Sequence, residues 1–391
     1  MSVTHEITGG LTHLSANPIW VKITASAPLL MHALMIRVTC AAVDGSPFVD
    51  EITPAGLVSE FNLSGMFAQP VDYDFEYPAI GKVKIRAPFV FVATIEIGES
   101  WKDVNGVRQE TWTTPAENNQ IRVLKGGLDD LTLKRLNQAG TNFADYYINA
   151  GRMLTHLPNN MKVSPRQMIK LWYLSRWIDD VEAELHMNVT QMTDSGPHEY
   201  VDEITEPFTL YSDGLYEWSI NPISFGYNKE VTAQYPILSF KFWITKASDN
   251  SIISDIRNYV VDNKPYENEL FAYNVNPFSG VDSLWFTGAQ KFGANVESET
   301  AIVPLKKGAT TKDASIKTTS SGKSRVWIVN TGSKPTAEIK NLLWFLESRQ
   351  RWIVDQDDAT RLIPVYVEGG ETMLWDSLED INNVELKLIE A

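Results

Sequence analysis

Apolar residues alternate with polar ones in many short stretches of this chain, and this period of two constrains its fold more than any other feature. Such alternation is typical of a β-strand that buries one face and exposes the other. It is clearest at residues 19–23, 36–40, 238–244 and 384–388. The sequence therefore predicts a mainly β protein, with two or more β-sandwich-type domains and a few short helices.

Helix-start signals occur in both halves of the chain. Ser164, Pro165 and Gln167 match a capping box with proline at the first helical position. A stripe at helical spacing follows, with Met168, Leu171, Trp172 and the small residue Ser175. A second capped helix is predicted to begin near Ser333. Residues 258–262 and 270–275 are predicted to pair as strands around Lys264-Pro265.

Turn-rich segments suggest how the chain is divided. A glycine pair at Gly126-Gly127 marks the first predicted boundary. We predict an N-terminal β domain at residues 1–125 and a connecting region of mixed helix and strand at 126–200. The C-terminal β domain, residues 201–391, is predicted to carry one capped helix and a long basic hairpin arm.

Charge and cysteine content exclude several classes of protein. The net charge of −15 argues against nucleic-acid binding and against an anionic membrane surface. The single cysteine, Cys40, excludes intramolecular disulfides and multi-cysteine metal sites, and its place in an alternating stretch predicts a buried thiol. The N-terminus has no signal-peptide pattern and the longest apolar run is too short to cross a bilayer, so we expect no membrane insertion.

No stretch of the sequence carries a complete catalytic, cofactor or metal motif. Ser321-Gly-Lys-Ser lacks the first glycine of a phosphate-binding loop, and the six histidines show no metal-ligand spacing. The acidic run at residues 355–358 lacks the glycine and terminal glutamate of a calcium loop. We therefore expect a protein that is not an enzyme, with no catalytic, cofactor-binding or metal-binding residues.

One segment stands out by its charge within this acidic chain. Residues 306–325 contain one acid, Asp313, and are otherwise basic or rich in Ser, Thr and Gly. The basic residues are Lys306, Lys307, Lys312, Lys317, Lys323 and Arg325. We predict a long exposed hairpin that contacts the acidic face of a neighbouring copy or partner. A flexible polar loop with no partner is the alternative.

The C-terminal third also carries recurrent sequence elements. They include Asn276-Pro-Phe-Ser-Gly-Val-Asp-Ser-Leu-Trp-Phe-Thr-Gly288, a Val-Asn-Thr-Gly turn at 329–332, and closing stretches at 363–367 and 382–388. Residues 258–391 thereby resemble tail and baseplate structural proteins of phages and prophages of Bacteroidota hosts, and a looser match reaches back to about residue 143.

That resemblance implies a non-enzymatic virion protein, made and assembled in the host bacterial cytoplasm. Its partners would be copies of itself, in a ring or other symmetric oligomer, and other virion tail proteins. Together with the arm, Phe278 and Trp285 of the aromatic turn are predicted to lie at the interface.

Two other functions remain open at this point. The first is a carbohydrate-binding adhesin or receptor-binding module, in which exposed aromatic rings would stack on sugars. The second is a glycoside hydrolase, which would need two carboxylates facing each other in a cleft. The pairs Asp129-Asp130 and Asp179-Asp180 offer carboxylates, but capping or solvation at helix ends explains both pairs without catalysis.

Overall fold

The computed structural model describes residues 3–26, 31–54, 56–67, 83–86, 89–176, 180–221, 227, 229–302, 316–369 and 381–391. Strands account for 50% of the residues and helices for 10%, so the predicted mainly β class is confirmed. The chain forms two compact units. They are Met1–Asn263 with Val275–Asp282, and Lys264–Asn274 with Ser283–Ala391.

The first unit contains most of the chain, and seventeen strands lie in its described residues. The strands are β1 (Val3–Ile7), β2 (Thr12–Leu14), β3 (Trp20–Ala25), β4 (Met31–Thr39), β5 (Phe48–Ile52), β6 (Val58–Asn62), β7 (Lys84–Ile85), β8 (Val90–Lys102), β9 (Arg108–Thr113), β10 (Gln120–Leu124), β11 (Met161–Val163), β12 (Ile169–Leu174), β13 (Val181–Thr193), β14 (Gly196–Leu210), β15 (Leu215–Ile220), β16 (Ile237–Lys246) and β17 (Arg257–Val261). Its helices are α1 (Ser64–Phe67), α2 (Asp130–Gln138) and a π-helical turn (Ala144–Asn149).

Two sheets form a sandwich at the N-terminal end of this unit. One has the strand order β1-β3-β6, and the other has the order β2-β10-β8-β4-β5, with β9 also paired to β8. Alternating residues of both sheets meet in one core, for example Val21 and Ile23 of β3 with Ile36 and Val38 of β4. Cys40 is buried in this core, as its place in the alternating pattern predicts.

The rest of the first unit holds a five-stranded sheet, β11-β17-β16-β13-β14, and a three-stranded sheet, β12-β15-β7. The predicted division at 200/201 falls inside β14, and β13 and β16 are hydrogen-bonded neighbours from its two sides. Residues 257–261 pair with β16 and β11, not with residues 270–275, so that predicted hairpin is wrong. The reason is that residues 270–275 belong to a sheet of the second unit.

The predicted helix after Ser164 is also wrong, because the chain forms strand β12 there. All six residues of β12 are buried, Lys170 among them, so the strand shows no alternation and its apolar residues also match helical spacing. The capping signals do form contacts. The Ser164 N–H donates to Gln167 Oε1 at 3.3 Å, and the Gln167 N–H donates to the Ser164 carbonyl at 3.0 Å. These bonds close a single turn that leads into the strand.

The second unit is built on a seven-stranded sheet and a separate pair of short strands. The described strands of this unit are β18 (Leu270–Val275), β19 (Val281–Phe286), β20 (Gln290–Ile302), β21 (Ile316–Asn330), β22 (Lys334–Pro335), β23 (Arg351–Val354), β24 (Leu362–Val367), β25 (Ile381–Asn382) and β26 (Glu385–Glu390). Its described helices are α3 (Thr336–Lys340) and α4 (Leu342–Glu347). The strand order of the large sheet is β19-β18-β23-β24-β26-β21-β20, and β22 pairs with β25.

One face of this seven-stranded sheet is covered by α3 and α4. Ile339 of α3 and Phe345 of α4 share a core with Phe286, Trp327 and Leu388 of the sheet. The helix predicted near Ser333 thus begins at residue 336 and is divided into two short pieces. The layer that faces the sheet in this unit is therefore helical.

Candidate interaction site

Strands β20 and β21 form a two-stranded ribbon that extends beyond the rest of the sheet to which it belongs. The two strands pair in antiparallel register from Gln290↔Val329 to Ile302↔Ile316. Only the last part of β21, from Val326 to Asn330, also pairs with β26. Among the described strands, residues 294–302 and 316–325 therefore pair only with each other. At about 3.4 Å per residue, this two-stranded part is roughly 30 Å long.

A ribbon of this kind has few interactions of its own to stabilise it. A two-stranded hairpin is at best marginally stable in water, and three or more strands with a buried face are needed for independent stability. No described strand pairs with either outer edge of the free part, and strand edges of this kind offer backbone N–H and C=O groups to another chain. These properties make the ribbon a surface that would gain stability by pairing with another chain.

The predicted basic arm corresponds to this ribbon and its connection. Lys317 and Lys323 lie on the described backbone of β21, whose sequence contains no acid. Lys306, Lys307 and Lys312 lie outside the described residues. Residues 316–325 of the predicted arm lie in β21, and their partner strand β20 precedes the predicted bounds, so the arm at 306–325 stays a prediction.

Arg325, the last of the predicted basic residues, binds an acid of its own chain. Its Nε and Nη2 atoms lie 2.9 and 2.6 Å from the two carboxylate oxygens of Glu390 on β26. Hydrogen bonds from Arg325 lower the pKa of Glu390 to about 2. Exposed pairs of this kind contribute about 1 kcal/mol or less. Arg325 therefore links β21, at the base of the ribbon, to β26 of the sheet.

The base of β20 has an exposed aromatic ring. Phe292 is 67% exposed, although its ring lies 5.5 Å from the ring of Trp327 on the paired strand. Lys291, Gly293 and Ala294 around it are exposed as well. Because β20 is the last described strand of its sheet, this apolar ring lies beside a strand edge that has no partner in the described chain. Exposed apolar residues beside unpaired backbone are typical of surfaces that bind other chains.

Phe278, in contrast, is a core residue of the first unit and is 0% exposed. Its ring lies 4.5 Å from the rings of Tyr147 and His156 and 5.9 Å from that of Phe143. The turn that carries it is held by Asn276, whose Oδ1 accepts the N–H groups of residues 278 and 280 at 3.0 and 2.9 Å. The expectation that Phe278 contacts a neighbour is corrected by this burial.

Trp285 also lies inside the molecule, at 5% exposure. Within the second unit, Tyr266 packs edge-on against it at 5.2 Å, and Lys334 Nζ lies 4.8 Å from the centre of its ring. Leu284 and Phe286 face the helix-covered core on the opposite side of the strand, as the alternation predicts. Trp285 is thus covered by its own chain, and an interface role for its ring is not supported.

A buried polar network lies beneath the aromatic turn. Thr155 Oγ1 donates to Asp282 Oδ1 at 2.7 Å, and Asn276 Nδ2 donates to the Leu154 carbonyl at 3.0 Å. Burial raises the pKa of Asp282 to about 6, and it lowers the pKa of His156 to about 4. Shifted pKa values often mark active sites, but structural networks produce them as well. Here the carboxylate is enclosed and bonded to the residues that anchor the turn, so the network serves the fold.

A second buried network joins two cations to one carboxylate. Arg86 Nε lies 2.6 Å from one oxygen of Glu217, and Lys170 Nζ binds the other. Burial lowers the pKa of Lys170. A glycoside hydrolase needs two facing carboxylates, whereas this cluster places one carboxylate between two cations. The cluster stabilises the pairing of β7, β12 and β15.

The exposed aromatic side chains that sugar binding would require are spread over both units. Among the described residues, the large exposed rings are Trp20 and Tyr211 in the first unit, and Phe292 and Tyr366 in the second. Within that same part of the chain, no group of three metal-binding side chains comes together. No helix there is both long enough and apolar enough to span a bilayer.

Comparison with known proteins gives no family for this chain. None of the protein-family models matches it, and a search of curated proteins gives no match either. The fold and the site together define the class of this protein. It is a mainly β protein of two units, with a β-ribbon that has no third strand paired to it in the described chain. The resemblance to phage tail and baseplate proteins stays a prediction.

Proposed function

We propose that this chain is a non-enzymatic structural protein of a virion, a component of a phage tail or baseplate. It assembles with copies of itself and with neighbouring tail proteins through the ribbon of β20 and β21. The observation that carries this proposal is the free part of the ribbon, residues 294–302 and 316–325, which pair only with each other in the described chain.

Three further features support an assembly role. The sequence resemblance covers residues 258–391 and so includes the whole ribbon. The chain has a net charge of −15, but it contains a basic segment made of Lys317 and Lys323 on β21 and three lysines between β20 and β21. Opposite charges steer association between acidic and basic surfaces. Phe292 adds an exposed apolar ring at the base.

The mass of the protein in solution tests this proposal. Residues 296–323 are replaced by a two-residue Gly-Ser link between Asn295 and Ser324, which lie directly opposite each other. This change keeps the sheet and the Arg325–Glu390 pair intact. Wild type is expected to form a discrete oligomer, and the shortened protein is expected to be monomeric.

A second hairpin provides the matched control. Residues 103–107 join β8 to β9, and the flanking residues Lys102 and Arg108 are direct partners. Replacing this turn by the same Gly-Ser link should leave the mass of the oligomer unchanged. An oligomer that survives loss of the ribbon, or a wild type that is monomeric at all concentrations, would refute assembly through the ribbon. In that case a glycan-array screen tests the carbohydrate-binding alternative.

A further inference from the structure

Two long edge strands in this protein differ in how they are protected. Strand β14 pairs only with β13 among the described strands, so its outer edge is open. It contains Pro197 and Pro207, which cannot donate backbone hydrogen bonds, and its register with β13 shifts near residue 188. It also carries acids and no Lys or Arg. The acids are Glu199, Asp202, Glu203 and Glu206. Prolines, irregular register and charge are the features by which proteins prevent edge-to-edge pairing.

Strand β20 has less of this protection over residues 290–299. It contains no proline, and its pairing with β21 is regular from Gln290 to Glu299. Its charges are of both signs, and Phe292 is largely exposed. An added Cβ at Gly293 would meet no atom within 4 Å, so nothing described covers that face of the strand there, and no described strand pairs with its outer edge. The β20 edge is therefore free to pair with another strand.

The sequence of β20 is complementary to itself when read in the antiparallel direction. A two-fold axis at Ala294 places Lys291 of one copy opposite Glu297 of the other, and Phe292 opposite Val296. Each of these pairs occurs twice because the interface is symmetric. Opposite charges and apolar residues are the cross-strand pairs that stabilise antiparallel sheets. The overlap covers residues 290–298 of each copy, where the strand is regular.

Neighbouring registers do not satisfy both pairs. Outward-pointing backbone groups alternate along a strand, so the two-fold axis of an antiparallel pair must lie at a residue and not between residues. With the axis at Asn295, Phe292 faces Ser298. With the axis at Gly293, Lys291 faces Asn295 and its charge has no partner. Of these three positions, only the axis at Ala294 matches both the charge and the apolar residue.

We propose that two copies of this chain pair edge to edge along β20, antiparallel, around a two-fold axis at Ala294. The seven-stranded sheets of the two copies then continue into each other, and Phe292 is covered by the partner strand. This inference rests on the proposed function, since it specifies one partner and one register for the same ribbon.

Cross-linking tests the position of the axis. Residues directly opposite in an antiparallel pair have Cα atoms about 4.5–5.5 Å apart, which lies within the range that a disulfide spans. Ala294→Cys should therefore give a covalent dimer under mild oxidation. Val107→Cys, at an exposed turn, is the control, and Cys40 is buried. The A294C dimer should form at least tenfold faster than any V107C dimer. Equal rates would overturn the proposal.

Charge reversal tests the register independently. Lys291→Glu alone and Glu297→Lys alone each place like charges opposite each other at two positions, so each should weaken dimerisation at least tenfold. The double variant K291E/E297K restores both pairs and should return the dissociation constant to within about threefold of wild type. A double variant as weak as the single ones would overturn the proposal. Rescue by K291E/E299K instead would move the axis to Asn295 and overturn the Ala294 register.

These outcomes are separable from those for the proposed function. If removal of residues 296–323 abolishes the oligomer while the A294C and charge-reversal tests fail, assembly through the ribbon stands and only the edge pairing is wrong. If that removal leaves the mass unchanged, the proposed function itself is refuted.

Discussion

Replacing Phe278 by alanine should destabilise the first unit strongly. The side chain is fully buried and packs against three aromatic rings, so its removal leaves a cavity that rigid neighbours fill poorly. Buried Phe→Ala substitutions cost about 3–5 kcal/mol. Phe292→Ala removes the same atoms from a ring that is 67% exposed, and it should change stability by about 0.5 kcal/mol or less.

Urea unfolding followed by tryptophan fluorescence and circular dichroism measures this difference. With a slope of about 3 kcal/mol per M, the F278A midpoint should fall by about 1 to 1.7 M. Measurements at low protein concentration keep self-association from contributing to the midpoint. The transition of the first unit should move, and that of the second should move less. A loss below about 1 kcal/mol for F278A, or equal losses for the two variants, would refute the view that the turn is an internal anchor.

Two further predictions concern the surroundings of this turn. Because the pKa of His156 is low in the native protein, the unfolded chain binds a proton at this residue between pH 6.5 and about 4 while the native chain does not. Acidification over this range should therefore lower the free energy of unfolding by up to about 3 kcal/mol through His156. Urea unfolding from pH 4 to 7 should show that H156Q flattens this loss. D282N should steepen it, because the raised pKa of Asp282 makes the native form bind the extra proton between pH 3.8 and about 6. Gly126→Ala should destabilise several-fold more than Gly106→Ala in the same assay, and equal costs would contradict this. Both glycines have positive φ, but only at Gly126 would a Cβ lie 2.2 Å from the Pro277 carbonyl oxygen.

Several strands could be predicted from the sequence because period-two alternation indicates burial on one face. The stretches at 19–23 and 238–244 fall on β3 and β16 for this reason. Strand β12 could not be found in this way, because both of its faces are buried and its apolar run has no period of two. Local capping contacts at Ser164 formed as predicted, but tertiary pairing with β15 decided what followed them.

The candidate site was predictable in part. Its charge pattern and turn-rich composition indicated a hairpin at 306–325, and the structure has a longer one whose first strand begins at Gln290. The hairpin extends beyond the end of β26 because of the order of strands in the sheet. Strand order depends on contacts between distant parts of the chain, so local sequence does not predict it. The same limit explains Phe278. The sequence Pro-Phe-Ser-Gly is typical of an exposed turn. The burial of Phe278 becomes apparent only from the packing of Tyr147 and His156 around its ring. Exposure of Phe292 was likewise not visible from its neighbours in sequence.

The division of the chain between the two units has a consequence for biosynthesis. Residues 275–282, which complete the first unit, are made only after residues 264–274, which belong to the second. The first unit therefore cannot finish folding on the ribosome when residue 263 emerges, although domains usually fold in order of synthesis. Its last anchor arrives together with the first strand of the second unit. We therefore expect the first unit to finish folding only while the second is being synthesised.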